Sequence, residues 1–215
     1  MIRRARRNKS STGGIRTETS LPRLVPFVLT TILFVISSAT VPVRAQDTNH
    51  EEHYEELPNF ARVNEKLYRG GQPRKDGTRK LAALGVNTII NLRDDDERAL
   101  AEQAEAKAAG LRYFNVPFKT IGRPDDAEVA KVLSLIDAKE NGVVFVHCHK
   151  GEDRTGTIIA LYRISHDNWT DEEAIGEAKR FGMKFWQLAM RRYISDYYRT
   201  RSTRHVTKTE NQSPK

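Results

Sequence analysis

The sequence predicts an α/β domain: a mostly parallel central sheet with helices on both faces. Three observations carry this. The run "VNTIINLR" (86–93) is rich in β-branched residues and "GVVFVHC" (142–148) is apolar at most positions, as in buried strands. The segment between them places Val129, Val132, Leu133 and Ile136 at helical spacing. Strands and helices then alternate along the chain, which is the sign of crossover connections and parallel pairing.

Taken in order, "FARVNEKLYRGGQP" (60–73) reads as two short strands closed by a Gly-Gly-Gln-Pro turn. "DGTRKLAALG" (76–85) is a short helix that stops on Gly85. After the strand at 86–93, "DDDERALAEQAEAKAAG" (94–110) is a helix with three acids at its positive end and Gly110 as its stop. "LRYFNVPF" (111–118) is the next strand, and the loop "KTIGRP" leads into the helix "DDAEVAKVLSLIDAKEN" (125–141). The strand "GVVFVHC" follows. The helix beginning near Thr155, "TGTIIALYRISHDN", is apolar on nearly every side and is therefore central. "TDEEAIGEAKRFG" (170–182) opens on a capping box, Thr170 with Glu173. "KFWQLAMRRYISDYY" (184–198) closes the domain, and the stripe Phe185, Ala189, Tyr193, Tyr197 is expected to face the core.

The formal net charge of +8 resides at the two ends. Residues 1–45 carry +7 and residues 199–215 carry +4, so 46–198 is mildly acidic, and the charge points to no nucleic-acid partner. A basic start, the apolar run "LVPFVLTTILFVISSATVPV" and small residues before Gln46 make 1–45 a signal peptide, or an N-terminal anchor if uncleaved. An exported, periplasmic or extracellular domain is then expected, touching membrane only through that segment. Residues 46–57 read as a polar linker, in which His50 and His53 among four Glu form a solvated leader rather than a metal site. Residues 58–198 are the folded domain and 199–215 a disordered basic tail.

The chain has one cysteine, Cys148, so no intrachain disulfide can form. In an exported chain a leftover cysteine suggests a reactive thiol or an intermolecular bridge, with a buried hydrophobe as the alternative. Its setting, "HCHKGEDRTG" (147–156), is the carboxyl end of a strand, a short loop and a helix start, where sites of α/β sheets form. Gly151 lets the loop curl. Backbone N–H groups of 149–154 can form an anion nest, with the helix dipole aimed at the same point. Arg154 adds a planar fork that matches two phosphate oxygens. The same field favours a thiolate at Cys148, with the Thr155 hydroxyl donating to the sulfur and His147 ordering the loop. That geometry suits attack on phosphorus.

The stretch "VHCHKGEDRTG" resembles the signature loop of the protein tyrosine phosphatase superfamily. With "KLYRGGQP", "GVNTIINLRDDDE" and the segment from 154 to 178, it is similar to the small exported dual-specificity phosphatases of bacteria over residues 58–182. The resemblance implies a cofactor-free, metal-free enzyme. Cys148 would be the nucleophile, Arg154 the phosphate clamp, and His149, Lys150, Gly151, Glu152, Asp153 and Thr155 would belong to the cradle with His147 in support. Its substrates would be phosphorylated proteins or small phosphomonoesters.

The resemblance also implies a general-acid Asp on the loop after the preceding strand, but Thr120 to Gly122 hold no carboxylate. Asp125 is the candidate, with Asp126 and Asp153 behind it. The simplest reading of Asp125 and Asp126 is as acids opening a helix, and Asp153 is expected to turn from the phosphate and pair elsewhere. A missing acid predicts a bias toward aryl phosphates. Glu152 and Asp153 offset His149 and Lys150, which weighs against inositol phosphates unless Lys119 and Arg123 add charge. Three other readings stay open: an inositol-phosphate phosphatase, a catalytically weak phosphate-binding module, and sulfur transfer.

Overall fold

The computed structural model describes the backbone of residues 53–210 and the side chains of 53–203. The expected signal segment, His50 and residues 211–215 lie outside the described residues.

Five strands form one sheet in the order β1-β2-β5-β3-β4: β1 Ala61–Arg62, β2 Leu67–Gly70, β3 Thr88–Asn91, β4 Arg112–Asn115 and β5 Val144–His147. Only β1 is antiparallel to its neighbour. Helices α1 (Gly77–Ala83) and α2 (Glu97–Ala108) cover one face. Helices α3 (Asp126–Asp137), α4 (Asp153–His166), α5 (Asp171–Arg180) and α6 (Leu188–Glu210) cover the other. The expected α/β architecture is present.

The alternation along β5 explains the two layers. Val144, Val146 and then Cys148 face the α3–α6 layer, while Phe145 faces α1 and α2. All four residues of β5 are buried, so the strand gains apolar contact on both sides. Val144, Phe145 and Val146 are fully buried, each contributing about 1.5–3 kcal/mol of transfer free energy.

α4 is the central helix, with ten of its 14 residues buried. It begins at Asp153, two residues before the expected start. Gly156 lets α5 pack closely: a Cβ there would lie 3.3 Å from that of Ala178. Arg163, the cation inside this layer, is matched by Glu177 at 2.9 Å and Asp167 at 2.8 Å. A buried cation without such partners would be strongly destabilising.

Three boundaries depart from expectation. Residues 46–57 are not wholly a linker, because Leu57 is buried and the Tyr54 ring packs edge-on against Phe60 at 5.5 Å. The tail is helical to Glu210 rather than disordered from 199. Arg201 donates to the Ser165 carbonyl at 2.9 Å, so the packed part of α6 nucleates what composition alone would leave unstructured. The buried face of α6 is Met190, Tyr193 and Ile194; Phe185 precedes the helix and is 76% exposed. Among the described residues no helix is long and apolar enough to cross a membrane.

Candidate active site

Between the end of β5 and the start of α4 the loop Cys148–Glu152 turns through Gly151, at φ 73°. Three successive carbonyls of this loop are tied outward. His149 O accepts from Gln72 N at 3.0 Å, Lys150 O from Asn59 Nδ2 at 3.2 Å, and Gly151 O from Arg69 Nη2 at 3.0 Å. In a trans peptide the N–H points opposite to the C=O. The amides of Lys150, Gly151 and Glu152 are thereby turned to the concave side, beside the N-terminus of α4. This is an anion nest with a helix dipole behind it.

Cys148 is a free thiol, 3% exposed, at the base of a cavity of about 240 Å³. Arg154 is in its wall. Its Nη1 donates to Leu92 O at 3.2 Å and Phe118 O at 3.5 Å, which fixes the guanidinium against the segments that follow β3 and β4. Nε and Nη2 make no bond within the described residues and remain for an anion. The cavity therefore brings together Cys148, His149, Lys150, Glu152, Asp153 and Arg154. The Thr155 hydroxyl is placed otherwise than expected. It donates to Gly70 O at 3.5 Å, not to the sulfur.

His147 is fully buried on the opposite face of the sheet. Its Nδ1 lies 3.2 Å from Cys148 O, and its Nε2 lies 3.1 Å from Glu102 Oε1, close enough to pair though not aligned as a hydrogen bond. Tyr113 donates to the other Glu102 oxygen at 3.1 Å and accepts from Asn91 at 2.8 Å. Burial by itself would raise the Glu102 carboxyl; His147, then Gln72 and Tyr113, outweigh it and hold the group below its ordinary 4.5. A depressed carboxylate contributes stability that is present above its unfolded pKa and is lost as pH falls through the folded value. The expected result is that the melting temperature of the native chain drops steeply below about pH 4.5, and that Glu102→Gln flattens this limb. Parallel melting profiles from pH 3 to 7 would count against the pairing.

Among the described residues the carboxylates that line the cavity are Glu152 and Asp153, and both are engaged. Asp125 caps α3, accepting from Ala127 N at 2.8 Å and Glu128 N at 3.4 Å. Asp126 accepts from Tyr193 Oη at 2.7 Å and pairs with Arg123 at 3.4 Å; these three line a different cavity. Neither Asp125 nor Asp126 is in the cavity of Cys148. Arg123 is stacked on Tyr193, and neither it nor Lys119 lines that cavity. Asp153 takes the Lys184 N–H at 2.8 Å, and Glu152 pairs with Lys184 Nζ at 3.1 Å. Asparagine caps helices as well as aspartate does. Asp125→Asn is therefore expected to keep its stability within about 0.5 kcal/mol and to keep the pH profile of aryl-phosphate turnover. Loss of the basic limb in that variant would make Asp125 the acid.

Several lining groups escaped the sequence reading. Lys184, Trp186 and Gln187 come from the segment before α6, and Gln187 donates to Thr120 O at 2.9 Å. Arg69 lies 82 residues from Gly151 and Glu102 lies 45 residues from His147 at the end of β5, and no local pattern marks them.

The site can be set beside known proteins. Over 125 residues the chain is 35% identical to the dual specificity protein phosphatase TpbA of Pseudomonas aeruginosa, covering 58% of this chain and 55% of that one. The chain thus spans about half the length of this curated relative. It is 26% identical to the inositol diphosphatase DSP5 of Arabidopsis thaliana over 159 residues, 70% of this chain and 75% of that one. A crystal structure of a Cys→Ser variant of P. aeruginosa TpbA in complex with pTyr superposes with a TM-score of 0.56 at 28% identity, covering 67% of this chain and 90% of that one. The family model for a DSP-PTPase phosphatase fused to NAD+ kinase matches residues 43–197, well over half of the chain. A match of that extent, running through the strand, the loop and the helix that build the nest, means that the chain belongs to the PTP-NADK family of DSP-PTPase phosphatases.

Proposed function

We propose that the chain hydrolyses phosphomonoesters through a cysteinyl-phosphate. The observation that carries this is the nest: three carbonyls pulled outward around a buried free thiol, with the unengaged edge of Arg154 beside it. Cys148 Sγ attacks phosphorus and the P–O bond to the leaving group breaks. The inward amides and Arg154 hold the charge on the equatorial oxygens. Water then attacks phosphorus, the S–P bond breaks, and phosphate leaves with the thiolate restored.

Aryl phosphates, phosphotyrosine in proteins among them, fit this site best. A phenoxide, of pKa about 10, leaves without help, whereas an alkoxide needs a proton donor. Glu152 and Asp153, the carboxylates in the wall, are engaged by Lys184. The rim presents Ile121 and Trp186, with Phe185 edge-on to Trp186 at 4.9 Å, apolar surface for an aromatic ring. The relative TpbA was crystallised with pTyr. The basic and apolar N-terminal segment supports an exported, periplasmic location.

One observation favours a second substrate class, inositol phosphates. A groove of about 600 Å³ lined by Arg74, Lys75, Arg93 and Arg98 meets the loop at His149 and Lys150. Asp96 and Glu105 pair with Arg93 and Arg98, and among the described residues Arg74 and Lys75 pair with no carboxylate. The relative DSP5 is named an inositol diphosphatase. The test is metal-free turnover by the full chain of p-nitrophenyl phosphate, a phosphotyrosine peptide, a phosphoserine peptide and an inositol polyphosphate. The expected kcat/KM is about 100-fold or more higher for phosphotyrosine than for phosphoserine. Equal rates would reveal an acid, preference for the inositol would establish the second class, and binding without turnover would leave a phosphate-binding module.

A further inference from the structure

Arg69 stands on β2 with its guanidinium beneath the loop. It is 1% exposed. Nη2 donates to Gly151 O at 3.0 Å, and the guanidinium carbon sits 3.8 Å from the centroid of the Phe181 ring. Nε and Nη1 are buried and meet no hydrogen-bond partner among the described residues. The nearby carboxylate, Glu177, is committed to Arg163 by three bonds of 2.9 to 3.4 Å. Burial lowers the Arg69 pKa to about 10, with Glu177 and Cys148 acting to raise it, so the group stays charged at neutral pH. A buried cation with two orphaned nitrogens and no carboxylate of its own is costly, and such a group in a native structure calls for an explanation.

We propose that Arg69 is a positioning residue whose buried charge is matched by the anion the nest receives. It acts in two ways. It pins the Gly151 carbonyl outward, which aims the Glu152 amide at the anion. Its uncancelled charge, behind the loop rather than in the cavity, stabilises the negative sulfur and a bound dianion. Arg154 and the amides meet the phosphate from the cavity side; Arg69 meets the same charge from the protein side. The inference rests on the reading of this loop as an anion site.

Charged groups on every side bear on the sulfur and must stay constant in the test. Arg163 and Glu177 act on Arg69, His147 and Glu102 lie across the sheet, and His149, Lys150, Asp153, Arg154 and the Glu152–Lys184 pair line the cavity. The experiment compares the native full chain, Arg69→Met and Arg69→Lys. It measures the melting temperature, the affinity for orthovanadate, and the pH dependence of Cys148 alkylation by iodoacetamide.

Methionine keeps the apolar stem and removes the unmatched charge. Arg69→Met is expected to fold with an unchanged or higher melting temperature without ligand. It should bind vanadate about tenfold or more weakly, with the alkylation midpoint about one pH unit higher. Arg69→Lys should recover the alkylation midpoint. A folded Arg69→Met with native vanadate affinity and native alkylation profile overturns the proposal, as does a methionine-like profile in Arg69→Lys. Should Arg69→Met not fold, Arg69→Gln, which keeps a donor for Gly151 and drops the charge, takes its place with the same two readouts. Neither readout requires turnover. A native chain that binds vanadate and hydrolyses nothing sinks the phosphatase reading alone; native turnover with unaltered readouts in Arg69→Met sinks this one alone.

Discussion

Cys148→Ser is expected to lose turnover of p-nitrophenyl phosphate by about 10⁴-fold or more while keeping its affinity for phosphate. A serine hydroxyl is a poor nucleophile unless a base takes its proton. The carboxylates in the cavity wall are Glu152 and Asp153, and both are engaged by Lys184, so neither stands ready to take that proton. Binding survives because the receptor is mostly backbone. The outward ties from Gln72, Asn59 and Arg69 hold the nest whatever stands at 148, and Arg154 is anchored on Leu92 O and Phe118 O. Exchange of sulfur for oxygen changes little volume at a site that is 3% exposed, so folding is expected to shift by no more than about 1.5 kcal/mol. Steady-state rates with vanadate competition by calorimetry decide it. Turnover within tenfold of native would remove Cys148 from the reaction.

Gly151→Ala is expected to cost about 2–4 kcal/mol of stability and to abolish tight vanadate binding. Two terms add. At φ 73° a side chain is strained on any residue other than glycine. Here the added Cβ would also lie 2.5 Å from Gly70 C and O and 2.7 Å from Gly71 N. These are backbone atoms that cannot swing aside. Gly70 is paired in register with His147, and Gly71 N donates to Pro58 O at 2.7 Å. Relief requires the loop to lift away from β2, which breaks the tie from Arg69 to Gly151 O and turns the inward amides out. Gly85→Ala is the control. Its φ is 84°, yet nothing lies within 4 Å of the added Cβ, so it carries only the conformational term of about 1 kcal/mol. Urea titration of both variants separates the terms. Equal losses at 151 and 85 would show that the loop and β2 separate freely.

The path from Cys148 to Arg154 was legible in the sequence because its chemistry is local. A buried strand, a glycine where the chain needs φ above zero, an arginine and a helix start lie within ten consecutive residues, and each constrains its neighbours directly. The α/β class was legible for a similar reason, since periodicity reports which faces are apolar. Asp125 and the Thr170–Glu173 capping box could be read as helix openings from their positions alone, and both cap their helices.

Tertiary structure alone decided which faces meet. Arg69 reads as an ordinary strand residue in "KLYRGGQP", and only the pairing of β2 with β5 sets it beneath Gly151. Glu102 reads as one of several surface acids on α2, and only the packing of α2 over His147 buries it. The fate of the carboxylates is of the same kind: Asp153 and Glu152 are engaged by Lys184, and Asp126 by Tyr193, contacts spanning 31 to 67 residues. Residues 199–210 looked disordered by composition and are helical because α6 is already packed upstream. Local sequence sets backbone dihedrals and apolar faces; partner choice is set by which buried charges and surfaces find each other across the fold, and that information is spread over the whole chain.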